Sequence, residues 1–188
     1  LVGSEMCIRD RGGAYLPFDR GHHPAARVAQ GLEDAGAALL VVAEAEELSG
    51  AAMGMEAEWP CAAKMLRDVV VSGAAPPAAS GSLPSPGPRS RAYVIFSSGS
   101  TGRPKGVGLS HGNACAFVSG ARRSYLDRLG PSDRVLQAFS LAFDASVEEL
   151  WAAWSAGGSL VMAPEGMARE TDRLAARLRA LEVSVWST

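Results

Sequence analysis

Ser97-Ser98-Gly99-Ser100-Thr101-Gly102-Arg103-Pro104-Lys105-Gly106 is the segment whose residue types could do chemistry, and it begins where the apolar stretch Ala92 to Ser97 ends. Its glycines allow a tight turn and close approach of backbone to a ligand, while consecutive N–H groups and hydroxyls form an anion-binding concavity. Arg103 and Lys105 add positive charge. Each charge-assisted hydrogen bond to a phosphate contributes about 1.5–3 kcal/mol, so a handful can hold a triphosphate. A Walker loop needs glycine before the lysine and Ser or Thr after it to hold magnesium. Pro104 and Gly106 stand there instead. The competing interpretation is a flexible Ser/Gly/Thr linker. Against it count the apolar segment in front and the lysine, since Lys64 and Lys105 are the only lysines in an otherwise arginine-using chain.

The whole chain offers no electrostatic help in holding such an anion. Its 188 residues carry a formal net charge of -2, which gives no global attraction to nucleic acid or anionic lipid. No window approaches the apolar length of a membrane span, and no basic stretch followed by an apolar run opens the chain. A cytoplasmic protein with no nucleic-acid or membrane partner is expected. Cys7, Cys61 and Cys115 are isolated and odd in number, so neither a disulfide framework nor a zinc site is indicated. With 47% hydrophobic residues the chain can bury one core.

The elements that must position the loop can be followed from the front. Residues 1–11, LVGSEMCIRDR, lack a period or a cap and read as a foreign or unstructured leader. From Pro24 the spacing of Val28 and Leu32 predicts a helix that Gly36 ends. Ala38 to Ala43 reads as a strand, Ala62 to Arg67 as a short helical piece, and Val69 to Val71 as another short strand. Residues 72–90 are Ala, Pro, Ser and Gly and read as a mobile surface loop.

Beyond the glycine-rich loop a helix is expected over 113–126, then a strand over 134–140. Ser146 with Glu149 three residues on fits a capping box that opens a helix ending at Gly157-Gly158. Ser159 to Ala163 reads as a strand, Thr171 caps a helix to about Leu181, and Val183 to Trp186 opens a further strand. Alternating strands and helices imply an α/β fold with a mostly parallel sheet and flanking helices. A chain stopping just after a strand opens reads as incomplete, which makes residues 12–188 the front part of a larger domain.

The stretch YVIFSSGSTGRPKGVGLSHGN resembles the signature of the AMP-binding, adenylate-forming superfamily, with Phe96 for the usual tyrosine and Ser97 for the usual threonine. That resemblance implies that Ser97, Ser98, Gly99, Ser100, Thr101, Gly102 and Lys105 grip the phosphates of ATP with Mg2+. His111 occupies the family's histidine position; a locally hydrogen-bonded helix-entry histidine is the alternative. GGAYLPFD at 12–19 resembles a structural motif of peptide-synthetase adenylation domains, with Phe18 for an aliphatic residue. FDASVEE at 143–149 resembles that branch's F-D-x-S-V motif, which implies that Asp144 binds the substrate's α-ammonium group and that Ala145 and Glu148 line its side-chain pocket. A carboxylate beside a cleft favours a cationic ligand. Helix capping by Asp144 and simple solvation of Glu148 are the alternatives.

The implied activity is ATP-dependent formation of an aminoacyl-adenylate. Transfer to the phosphopantetheine thiol of a carrier domain, beside condensation domains in a multidomain synthetase, would follow. The family's later motifs are absent, so the fragment alone is expected to be inactive. An acyl-CoA or aryl-acid ligase, and a non-catalytic nucleotide-binding remnant, are the rival identities.

Overall fold

A computed structural model describes residues 13–19, 23–42, 58–65, 86–97, 104–164, 166–167 and 171–187. The leader at 1–11, the expected strand at Val69 to Val71 and most of the loop at 72–90 lie outside the described residues. The chain divides into two compact units, Leu1–Gly112 and Asn113–Thr188.

In the first unit, helix α1 (Ala25–Ala35) opens behind Pro24 and ends at Gly36, whose left-handed φ of 61° suits a residue without a Cβ. Strand β1 (Leu39–Val42) pairs in parallel with β2 (Ala62–Met65). The helical piece expected over 62–67 is thus a strand at 62–65. Four residues satisfy too few helical hydrogen bonds to nucleate a helix, whereas the ladder along β1 pairs their backbone at once.

Strand β3 (Arg91–Ser97) pairs antiparallel with β4 (Lys105–Ser110). Its other edge receives the segment around Tyr15: the Tyr15 N–H donates to the Ala92 carbonyl at 3.3 Å, and the Val94 N–H donates to the Tyr15 carbonyl at 3.0 Å. The Tyr15 and Tyr93 rings stack at 5.5 Å. The GGAYLPFD stretch therefore works as a strand partner that buries β3, whose Ala92 to Ile95 are all buried.

Phe18 stacks on Phe96 at 6.0 Å and meets the His23 ring edge-on at 5.7 Å. Room for its ring comes from helix α1, because a Cβ added to Gly31 would lie 2.6 Å from the tip of Phe18. The aromatic residue that departs from the usual motif thus stands over a glycine.

The second unit is built on β5 (Arg134–Gln137), parallel to β6 (Ser159–Met162) and bridged on its other side by Val185. Successive side chains of a strand point to opposite faces. Val135 accordingly packs with Ala121 and Leu126 at the end of helix α2 (His111–Ser124) and with Ala152 and Ala153 of helix α3 (Ala145–Ser155). Leu136 packs with Val161, Met167 and the leucines of helix α4 (Thr171–Ala180). Helices on both faces of a parallel pair realise the α/β expectation, and two of the three strand pairings among the described residues are parallel. Where a strand was expected at Val183 to Trp186, Val185 forms an isolated bridge to Val135.

At the start of β6 the backbones touch. A Cβ on Gly158 would sit 2.8 Å from the Asp133 carbonyl oxygen and 3.2 Å from that of Gly130. Asp133 holds this turn by accepting the Gly130 N–H at 2.8 Å and the Ser184 hydroxyl at 2.8 Å.

Two stability outcomes follow. Gly158→Ala is expected to destabilise the second unit by about 1–3 kcal/mol, since a backbone carbonyl cannot swing away as a side chain can; an unchanged urea midpoint would contradict this contact. Gly31→Ala is expected to destabilise the chain in the presence of Phe18 but to be neutral or stabilising beside Phe18→Leu, where helix propensity is free to contribute up to about 1 kcal/mol. A double-mutant cycle by chemical denaturation reads that coupling, and additive effects would refute it.

Candidate functional site

Ser97 and Lys105 are directly paired across the mouth of the β3–β4 hairpin. Residues 98–104 form the connection between them, and Ser98, Gly99, Ser100, Thr101 and Gly102 lie outside the described residues. A Walker loop joins a strand to a helix. Here a strand is joined to an antiparallel strand, so topology excludes the Walker loop independently of the residues beside the lysine. Strand β4 itself was hidden in sequence, because Gly106 and Gly108 break any apolar alternation. Both glycines leave space: a Cβ on Gly106 would lie 3.2 Å from Phe96 and Val94, and one on Gly108 would lie 3.3 Å from the Arg91 Nε.

Lys105 is exposed and lines a shallow cleft of about 390 Å3 with Arg91, Asp34, Phe96, Gly106 and Gly108. Two cations at one cleft beside the hairpin mouth suit an anionic ligand, and the ring of Phe96 supplies an apolar floor. Arg91 was not among the residues singled out in sequence; its signal, a cation at the start of the strand leading to the loop, is weak by itself.

Strand β4 runs without a break into α2. The first turn of α2 is tied down by backbone, with the His111 N–H donating to the Ser90 carbonyl at 2.9 Å and the Gly112 N–H to the Pro88 carbonyl at 2.8 Å. A Cβ on Gly112 would stand 2.8 Å from that same Pro88 oxygen. Residues 86–90, expected as part of a mobile loop, therefore form an ordered turn that satisfies helix N–H groups left without intrahelical partners. The expected helix start at 113 moves to His111 for this reason. The His111 Nε2 atom is buried without a hydrogen-bond partner among the described residues, while its backbone N–H makes the local bond.

In the second unit the FDASVEE stretch bridges β5 and α3. Asp144 is the N-cap residue of α3, but its side chain makes no capping hydrogen bond and it is exposed. Its carboxylate thus stands at a helix N-terminus without serving as its cap. The capping box expected from Ser146 and Glu149 is replaced by another arrangement. The buried Ser146 hydroxyl donates to the Phe143 carbonyl at 2.6 Å, and Glu149 turns away to the end of β5. Its carboxylate accepts the Ala138 N–H at 3.1 and 3.2 Å and the Phe139 N–H at 3.2 Å. The physical reason is register, since the helix starts at Ala145 and Ser146 falls inside it rather than at its cap.

Ala145 is half-buried. Glu148 is half-buried too and accepts the Tyr125 hydroxyl at 3.2 Å. Desolvation, and after it the charge of Glu148, raise the Tyr125 phenol above its ordinary pKa. Glu148 also lines a cleft of about 200 Å3 with Tyr125 and Trp186 at the rim and Leu126, Val135 and Val185 among its walls. Asp144 and Ala145 are outside that lining. Tyr125 and Trp186 were missed in sequence, because an aromatic residue at a helix or strand end reads as ordinary packing.

The AMP-binding enzyme family model matches residues 5–188. Among curated relatives, the delta-poly-L-ornithine synthetase of Acinetobacter baumannii is 34% identical over 98% of this chain and 13% of its own length. The L-proline--[L-prolyl-carrier protein] ligase of Pseudomonas fluorescens is 33% identical over 99% of this chain and 37% of its own length. Tyrocidine synthase 3 of Brevibacillus parabrevis is 37% identical over 98% of this chain and 3% of its length. The chain thus spans well under half of the curated relatives it matches. Among solved structures, the nonribosomal peptide synthetase FmoA3 bound to alpha-methyl-L-serine-AMP superposes with a TM-score of 0.75 at 29% identity, covering 100% of this chain and 19% of that one. IdnL7 superposes with a TM-score of 0.71 at 28% identity, covering 97% of this chain and 36% of that one. By its signature loop on an antiparallel hairpin, its fold and the match over residues 5–188, this chain belongs to the AMP-binding enzyme family.

Proposed function

We propose that this chain is the N-terminal part of an adenylation domain that joins an amino-acid carboxylate to the α-phosphorus of ATP, releasing pyrophosphate and leaving an aminoacyl-adenylate. The observation that carries this is the hairpin mouth, where Ser97 faces Lys105 and the signature residues Ser98 to Gly102 form the connection. Donors fixed by a strand ladder need no reorganisation when charge develops on the phosphates, which is where such sites gain their effect. Holding two anions side by side then converts their encounter into an intramolecular step. Mg2+ beside the phosphates would offset further charge. Thioester transfer to a carrier domain's phosphopantetheine, and a neighbouring condensation domain, complete the proposed setting in the cytoplasm.

Asp144 favours an amino acid over a plain acyl or aryl acid, because its carboxylate is not used in capping and is available to an α-ammonium group. Glu148, one helical turn further on, lines an otherwise largely apolar cleft and engages only a neutral hydroxyl among the described residues. A basic side chain would pair with it, and a relative named as a poly-L-ornithine synthetase is compatible with that preference. Ala145, the other residue proposed for the side-chain pocket, stands outside the lining of that cleft. The 188-residue chain alone is proposed to bind nucleotide weakly and to adenylate nothing.

Titrating the chain with a non-hydrolysable ATP analogue is expected to show binding that weakens about tenfold or more in Lys105→Ala, the loss of one charge-assisted contact. Equal affinity of the two proteins would overturn the nucleotide assignment. In a form extended to the length of its relatives, Asp144→Asn is expected to raise KM for the amino acid about tenfold to a hundredfold and leave KM for ATP within about twofold. Unchanged amino-acid KM, or activity on carboxylic acids lacking an amine, would favour the acyl or aryl ligase instead.

A further inference from the structure

Glu149 is among the most buried side chains of the molecule, 1% exposed, and among the described residues no cation bonds to it. It is met only by neutral donors: the Ala138 and Phe139 amides and, more distantly at 3.5 Å, the Gln137 carboxamide. Burial raises its pKa above the ordinary carboxylate value, against which these hydrogen bonds act. A leucine of similar size would fill the same space without that desolvation. The carboxylate therefore needs a reason to be there.

Its partners supply one. Residues 138–144 leave β5 and return to α3 through a short chain of internal bonds. Ser140 accepts the Ala142 N–H on its hydroxyl and the Phe143 N–H on its carbonyl, and the Phe143 carbonyl takes the Ser146 hydroxyl. Gln137 donates to the Phe139 carbonyl. Without Glu149, this segment would be fastened at its α3 end and, among the described residues, held at its β5 end by the Gln137 side chain. With it, two successive amides are clamped to the second turn of the very helix at whose N-terminus Asp144 stands.

We infer that Glu149 is a positioning residue, which fixes the 138–144 segment between β5 and α3 and thereby sets where the Asp144 carboxylate stands at the helix N-terminus. The consequence for substrate recognition rests on the function proposed above; the consequence for the segment does not.

Two measurements separate these. Amide hydrogen exchange of the 188-residue chain is compared with Glu149→Gln, which keeps one acceptor but turns an NH2 toward the backbone donors, and with Glu149→Leu. Exchange at Ala138 and Phe139, and also at Phe143 and Ser146 flanking Asp144, is expected to accelerate by about tenfold in the Gln variant and more in the Leu variant. The amides of Leu136, on the Val185 carbonyl, and of Ser159, on the Asp133 carbonyl, serve as the reference and stay within about twofold. Acceleration confined to Ala138 and Phe139, or an equal rise at the reference amides, would overturn the positioning role. In the extended enzyme, Glu149→Gln is expected to raise the amino-acid KM about tenfold at constant ATP KM, an effect that loss of folded protein cannot mimic. If the wild-type extended enzyme forms no adenylate in the presence of any amino acid, the functional proposal fails and the amide hydrogen exchange result still decides this one.

Discussion

A peptide group or charge withdrawn from water must find a hydrogen-bond partner, and this constraint determines where the loops of both units run. In the second unit it draws Glu149 back to the amides at the end of β5. In the first it brings the turn at 86–90 under the opening of α2, because the N–H groups of His111 and Gly112 have no carbonyl within their own helix. Neither attachment involves a residue that touches the nucleotide or the amino acid in the proposed reaction. Both hold an end of a segment that leads to one.

Close backbone approach is the other side of the same constraint. Gly112 and Gly158 each stand where a carbonyl oxygen of another segment occupies the place a Cβ would take, at 2.8 Å in both cases. Gly31 differs in kind, since what fills its vacant space is the Phe18 ring. The first two serve backbone hydrogen bonding, and the third serves an aromatic cluster that includes Phe96 at the approach to the signature loop.

Periodicity and punctuation made much of the architecture legible in advance. The helix between Pro24 and Gly36, the strands at Leu39–Val42 and Ser159–Met162, and the helix closed by Gly157 follow from local rules that tertiary structure did not override. Strand β2 was not legible, because four residues with a lysine among them have no period of their own and take their form from β1. Strand β4 was obscured by the glycines that let Phe96 and Arg91 lie across it. Around Asp144, the residue types were readable as a motif, but Ser146 and Glu149 satisfied a capping pattern that the register of α3 does not use. Spacing alone cannot tell an amide three residues back from one at the end of a neighbouring strand. Resemblance to a family marked the signature loop, whereas the pairing of Ser97 with Lys105 needed coordinates.

The hairpin that carries the signature loop has a consequence for how such a loop can vary. Both ends are leashed to a ladder in which paired residues share a face and neighbouring ones alternate, so Ser97 and Lys105 stand on one face of the hairpin and Phe96 and Gly106 on the other. Gaining or losing a residue within the connection leaves that parity intact. A single insertion in β4 beyond Val107 would invert it relative to the rest of that strand, turning the ammonium group to the other side while every letter of the signature remained in order.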